Sequence, residues 1–139
     1  MTQLLKVSAV IGVAVFALLP LHAGAQDAKP ALYTADQATA GATTYQQACA
    51  ACHGGALEGV SAPALKGEAF GEMATAQGLT ADSLLEVTAA TMPQSSPGSL
   101  KPEEYNAVVA YILQQNGYPA GTVALAPHAT GLKDAKITP

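Results

Sequence analysis

The chain has 139 residues, of which 50% are hydrophobic and 12% are charged, and its formal net charge at pH 7 is −4. This balance is typical of one compact domain and excludes a disordered or fibrous chain. The chain has no arginine and its few lysines are scattered, so it lacks the basic patch that binds nucleic acid or an anionic membrane surface.

The first 25 residues have the pattern of a secretory signal peptide. Lys6 precedes an apolar run from Val7 to Leu19, and small residues follow near the end of the segment. The run is shorter than the roughly twenty apolar residues that span a bilayer, and Pro20 ends it. We therefore expect residues 1–25 to be cleaved, and the mature chain to reach the periplasm without inserting into the membrane.

The next segment carries the start and stop signals of a helix. After a leader over residues 26–33, Thr34 and Gln37 form the pair in which each side chain caps the backbone of the other. We expect the helix to run to about Ala51, because Gly54 and Gly55 prevent it from continuing.

Two more helices are predicted in the second half of the chain. One runs from Asp82 to about Thr91, with Thr80 as its cap. The last begins at Pro102, and apolar residues then follow from Tyr105 onwards at i, i+3, i+4 and i+7, which predicts one buried face.

The remaining segments are predicted to be irregular. Residues 56–73 are rich in glycine and have no sustained period, which predicts a long loop with at most a short turn of helix. Residues 120–139 are expected to be a surface tail on a domain that spans residues 34–119. Without any strand pattern, we predict an all-α fold of three or four short helices. Their core would be thin, so we expect a bulky apolar cofactor to fill it.

Both cysteines lie within four consecutive positions and are followed at once by a histidine. On a helical turn, Cys49, Cys52 and His53 share one face. Cys-x-x-Cys-His is the attachment signature of c-type haem, in which two thiols bond to the porphyrin and the histidine binds its iron. We therefore predict one haem c, attached through the two cysteines, with His53 as an iron ligand.

Three other functions compete for this motif. A thioredoxin-like dithiol lies at a strand-to-helix turn, and no strands are predicted here. A zinc site would need a fourth ligand at a suitable spacing. A disulfide across four residues would contribute little by loop entropy. Haem is favoured over all three, and a haem-free dithiol oxidoreductase is kept as an alternative.

A second iron ligand decides whether the iron can bind a substrate. Met92 lies between the end of a predicted helix and a proline that stiffens the backbone, which favours its thioether as the ligand. Met73 is expected to pack in the core, and His128 is interpreted as an isolated surface histidine. Iron bound by both His53 and Met92 leaves one-electron transfer as the function. A displaceable Met92 would instead indicate a haem enzyme or a gas sensor.

Over nearly all of residues 34–120 the sequence resembles the mono-haem class I cytochromes c. Cys49, Cys52 and His53 match the attachment motif of that family, and Met92 matches its distal ligand. The resemblance implies the cytochrome c fold, in which short helices and loops surround one covalently bound haem.

The resemblance also implies roles for residues outside the motif. Gly41 and Tyr45 match the small and aromatic positions at which the first and last helices cross, and Val108 and Tyr111 match their partners. Pro63 resembles the proline whose carbonyl accepts a hydrogen bond from the other nitrogen of the iron-binding histidine.

Residues 92–121 show a narrower likeness. They are similar to the haem domains at the C-terminus of quinohaemoprotein alcohol dehydrogenases and to small cytochromes that accompany quinoprotein dehydrogenases. Because the chain lacks the propeller catalytic domain of those enzymes, the resemblance implies a separate carrier or the haem subunit of a complex, not an enzyme. We expect a periplasmic one-electron carrier between a quinoprotein dehydrogenase or respiratory complex and an oxidase or another cytochrome.

Overall fold

The computed structural model describes residues 28–139, and the predicted signal peptide lies outside that range. The described residues form five helices and no strand, which confirms the all-α prediction. The helices are α1 Ala35–Ala48, α2 Ala50–His53, α3 Gly67–Ala76, α4 Ala81–Thr91 and α5 Pro102–Gln115. None of them combines the length and the hydropathy that a membrane span requires.

Reciprocal caps begin α1 and α4. At α1 the amide of Gln37 donates to Thr34 Oγ1 and the amide of Thr34 donates to Gln37 Oε1, each at 3.3 Å. Thr80 and Ser83 repeat this arrangement at α4, at 3.2 and 2.9 Å. Each pair satisfies two backbone donors that a helix start would otherwise leave free. The predicted starts of both helices are confirmed, as is the start of α5 at Pro102.

Helix α3 replaces most of the second half of the predicted loop. It contains two glycines, which lower helix propensity and hide the pattern in the sequence. Its stability comes from burial instead, because Phe70 and Ala74 are 1% and 0% exposed. The structure has five helices where three or four were expected, because α3 was not predicted and the first predicted helix is broken at Cys49 into α1 and α2.

Helices α1 and α5 cross at Gly41. A Cβ at this position would overlap the carbonyl oxygen of Ala107, so only glycine lets the two backbones come so close. One turn further on, the rings of Tyr45 and Tyr111 pack with their centroids 5.4 Å apart. The crossing implied by the resemblance is confirmed, with Val108 buried beside it.

The segment 120–139 is part of the core and not the expected surface tail. Leu125, Leu132 and Ile137 are each 1% exposed. The backbone of the segment is also bonded to the rest of the chain, since the amide of Ile137 donates to the carbonyl of Leu79 at 2.8 Å. Its apolar residues are irregularly spaced, so no period in the sequence indicates their burial.

Candidate functional site

One helical turn presents the cysteines and the histidine together. Cys49 caps the four-residue helix α2, and the amides of Cys52 and His53 donate to its carbonyl at 3.1 and 3.0 Å. The two thiols are free rather than joined in a disulfide. Cys52 is exposed and Cys49 is half-buried, and this burial raises the pKa of the Cys49 thiol. Because neither thiol is in a disulfide, both sulfurs are available for covalent attachment of a ligand.

The loop after the motif folds back over it. Gly54 turns the chain with a φ of 85°, a left-handed conformation that glycine adopts without strain. The carbonyl of Cys52 then accepts hydrogen bonds from the amides of residues 60–62, each at 3.1 Å. The amide of Gly59 donates to the carbonyl of His53 at 2.7 Å. These bonds fix the backbone of the motif from one side.

His53 is oriented by a proline carbonyl. Its Nδ1 lies 2.8 Å from the carbonyl oxygen of Pro63. A carbonyl oxygen only accepts hydrogen bonds, so Nδ1 is the donor, which leaves Nε2 as the ring nitrogen that can bind a metal. A hydrogen bond of this kind sets both the orientation and the basicity of a metal-binding imidazole.

Tyr45 supports the motif from the helix crossing, a contact that sequence reasoning missed. Its hydroxyl donates to the carbonyl of Gly54 at 2.7 Å in a buried position. Burial, followed by the nearby Cys49, Glu58 and Tyr111, raises the pKa of Tyr45 to about 12, so the hydroxyl keeps its proton. The signal in the sequence for this contact was the spacing of Tyr45, which lies four residues before Cys49. On a helix this spacing places the ring and the first cysteine on the same face.

Glu58 is a second residue near the motif that the sequence did not indicate. Its Oε2 accepts a hydrogen bond from the amide of Ala56 at 2.7 Å. Hydrogen bonds from the backbone amides of Glu58 itself and of Ala56 lower the pKa of this carboxyl. The carboxylate also occupies the space that a Cβ at Gly54 would need, so it holds the turn after the histidine.

Met92 lies on a different element, at the C-terminal cap of α4. Its amide donates to the carbonyl of Thr88 at 3.0 Å, and its carbonyl accepts from the Tyr105 hydroxyl at 2.7 Å. The backbone is thus held by α4 and α5 while the side chain is half-buried. Met73 lies on α3 and packs against the core. Among the described residues, Met92 makes no hydrogen bond to the motif or to Pro63.

The donor set at this site fits haem c. It has two free thiols three residues apart, an imidazole whose Nε2 can bind a metal, and a methionine fixed on a separate element. It does not fit zinc. Within residues 28–139 the one group of three or more histidine, cysteine or carboxylate side chains close enough to share an ion is elsewhere.

Three solved structures are similar to parts of this chain. The sulfane dehydrogenase SoxCD from Paracoccus pantotrophus matches with a TM-score of 0.50 and 24% identity, over 68% of this chain and 49% of that chain. The thiosulfate dehydrogenase TsdBA from Marichromatium purpuratum matches with a TM-score of 0.48 and 27% identity, over 80% and 28%. Cytochrome CL from Methylophaga aminisulfidivorans matches with a TM-score of 0.43 and 24% identity, over 59% and 55%.

The chain thus spans about half of the SoxCD chain it matches, and that likeness shows a shared fold only. No curated protein matches the chain. The model of the family described as cytochrome c oxidase, cbb3-type, subunit III, matches residues 36–112, which is more than half of the chain. The matched range includes the Cys-x-x-Cys-His motif and Met92. It also includes Pro63 and Tyr105, which form hydrogen bonds with His53 and Met92. The chain therefore belongs to this family of c-type cytochromes, whose members carry covalently bound haem and transfer electrons.

Proposed function

We propose that the protein is a periplasmic carrier of single electrons, with one haem c attached through Cys49 and Cys52. His53 and Met92 would be its two iron ligands. The observation that carries this proposal is the turn of α2, where two free thiols and a histidine oriented by Pro63 lie together. When bound, the haem supplies one-electron chemistry, with the iron alternating between two oxidation states.

The protein's part in this function is to hold the ligands still. The hydrogen bond from His53 Nδ1 to the Pro63 carbonyl fixes which nitrogen binds metal and in which direction it points. The hydroxyl of Tyr105 fixes the backbone of Met92, so that a weak thioether ligand is presented in one position. With both ligands in place, no coordination position is left for a substrate.

The surface next to the motif supports docking of a redox partner. Val60 is 73% exposed, and its amide donates a hydrogen bond to the carbonyl of Cys52. Cys52 is also an exposed residue. An exposed apolar side chain beside the attachment site favours a short-lived contact that brings a partner close to the haem. The net negative charge of the chain favours a basic or neutral partner surface.

The partners fall into two classes in this proposal. The donor is a dehydrogenase, such as a quinoprotein dehydrogenase, or a respiratory complex, and the acceptor is an oxidase or another cytochrome. Membership of a family of electron-transfer cytochromes supports redox proteins as partners. The signal-peptide pattern of the first 25 residues supports the periplasm as their compartment.

Optical spectra of the purified, exported protein test the proposal. We expect a c-type haem spectrum that changes on reduction and is unchanged when carbon monoxide is added to the reduced protein at neutral pH. Rapid and complete binding of carbon monoxide would instead show an open iron, as in a gas sensor or haem enzyme. A colourless preparation with two titratable thiols would support a dithiol oxidoreductase.

A further inference from the structure

A second group of metal-binding side chains lies apart from the cysteine motif. Asp82 lies in the first turn of α4, Glu86 lies one turn later on the same face, and His128 lies in the segment 120–139. Their ligand atoms all lie within 4.8 Å of one another. His128 is therefore not the isolated surface histidine that the sequence suggested.

The spacing of these atoms suits a shared ion better than direct hydrogen bonds. His128 Nδ1 lies 3.5 Å from Asp82 Oδ2 and 3.8 Å from Glu86 Oε1. Both distances exceed the range of about 2.7–3.2 Å for a hydrogen bond to nitrogen. Two ligands on a tetrahedral zinc ion with bonds of about 2.0–2.1 Å lie about 3.3 Å apart. A small closure of the exposed Glu86 side chain would bring the three atoms to that spacing.

The burial of Asp82 favours a cation at this point. Its side chain is only 6% exposed, and its Oδ1 accepts a hydrogen bond from the His128 amide at 3.1 Å. Its Oδ2, which faces the imidazole, receives no hydrogen bond from the described residues, and no described lysine pairs with the carboxylate. Among the described residues, the ion-pair partner of this buried carboxylate is the His128 imidazole, which is positive only when it is protonated. Because a buried carboxylate beside a neutral imidazole is costly, a cation bound between them would supply the missing positive charge.

The backbone around His128 is already in place. The Asp82 carboxylate binds its amide, and the amide of Asp82 donates to the carbonyl of Leu132 at 3.2 Å, which anchors the same segment to α4. The backbone of His128 therefore does not have to be ordered when an ion binds. Glu86 and His128 also line one groove between α4, α5 and this segment, so the site is open to solvent on one side.

We propose that Asp82, Glu86 and His128 bind a divalent transition-metal ion, and that zinc is the best match. One imidazole nitrogen and two carboxylate oxygens are donors that zinc accepts, and three protein ligands leave a fourth position for water or another small donor. The two carboxylates balance the charge of the ion. The bound ion would tie the segment 120–139 to α4.

Zinc titration of the haem-loaded protein at neutral pH tests this site. Calorimetry should show one saturable site for Zn²⁺, and zinc should raise the thermal unfolding midpoint. His128→Ala and Glu86→Gln should each weaken zinc binding at least tenfold and abolish the rise in midpoint. Both side chains are more than half exposed, so these variants should fold. Glu103→Gln removes an exposed carboxylate of α5 and should bind zinc as the wild type does.

Two results would overturn the site. One is the absence of saturable binding below millimolar zinc, which would show that the histidine and the carboxylates form ion pairs only. The other is unchanged zinc affinity in His128→Ala, which would place any bound ion elsewhere. The haem spectrum should stay constant during the titration, so failure of this proposal can be told apart from failure of the proposed electron-carrier function.

Discussion

The hydroxyl of Tyr45 donates a hydrogen bond to the carbonyl of Gly54 at 2.7 Å, and this bond joins the packing of α1 on α5 to the cysteine motif. The ring of Tyr45 is fully buried against Tyr111 at the helix crossing. Its hydroxyl reaches the turn directly after His53. The position of His53, the proposed iron ligand, therefore depends on a contact made by α1.

Tyr45→Phe should lower the free energy of unfolding by about 1–3 kcal/mol, because it leaves the buried Gly54 carbonyl without its donor. Tyr111→Phe is the matched control, since no hydrogen bond to its hydroxyl is present among the described residues and its loss should matter less. Denaturant unfolding of the two variants and the wild type measures the difference. Equal stabilities would show that the bond contributes nothing.

The contribution of Tyr45 to stability depends on pH in a defined direction. The pKa of Tyr45 is raised from 10.0 to about 12 in the folded protein, so folding favours the protonated hydroxyl. This contribution is fully present below pH 10 and is lost as the pH rises through 12. We expect the stability difference between the wild type and Tyr45→Phe to shrink over that range. A constant difference would contradict the raised pKa.

Met92→Ala should lower the reduction potential, because a soft sulfur ligand stabilises the reduced iron. It should also let carbon monoxide bind the reduced protein at neutral pH, while the two thioether bonds retain the haem. Met73→Ala is the control, since Met73 packs against the core on α3. The assignment of the ligand is wrong if Met73→Ala changes the potential and Met92→Ala does not.

Leu132→Ala should destabilise the protein by about 2–5 kcal/mol, the usual cost of truncating a fully buried leucine. Lys133→Ala, at the exposed neighbouring position, should change stability by no more than about 0.5 kcal/mol. Thermal or denaturant unfolding measures both. If the leucine variant unfolds like the lysine variant, the segment 120–139 is not part of the core.

Val60→Ser should slow electron transfer to a basic redox protein several-fold in stopped-flow measurements, because it removes the apolar group beside the attachment site. Val123→Ser is the matched control, since Val123 is 70% exposed but lies far along the chain from the motif. The wild-type rate should fall as ionic strength rises. Equal rates in the two variants would place the docking surface elsewhere.

Local signals in the sequence predicted much of this fold. The capping pair at Thr34 and the proline at the start of α5 are short-range patterns, and both gave correct helix starts. Helix α3 was not predictable in the same way. Its glycines weaken the local signal, and the burial of Phe70 that stabilises it depends on the rest of the chain.

The two candidate sites differ in the same way, since one was recognisable in the sequence and the other was not. Cys49, Cys52 and His53 are recognisable because one helical turn brings neighbours in sequence together. The group of Asp82, Glu86 and His128 is not, since the histidine is 46 residues from the aspartate and reaches it only through the packing of an aperiodic segment. No periodic pattern in the sequence indicates such a contact.

The mass of the mature polypeptide tests the central claim most directly. Intact mass measurement of the protein from an expression host that exports it and attaches haem should give residues 26–139 plus one haem. Cys52→Ala should reduce the yield of haem-containing protein sharply. A mature wild-type chain that carries no added mass at its two cysteines would contradict the account.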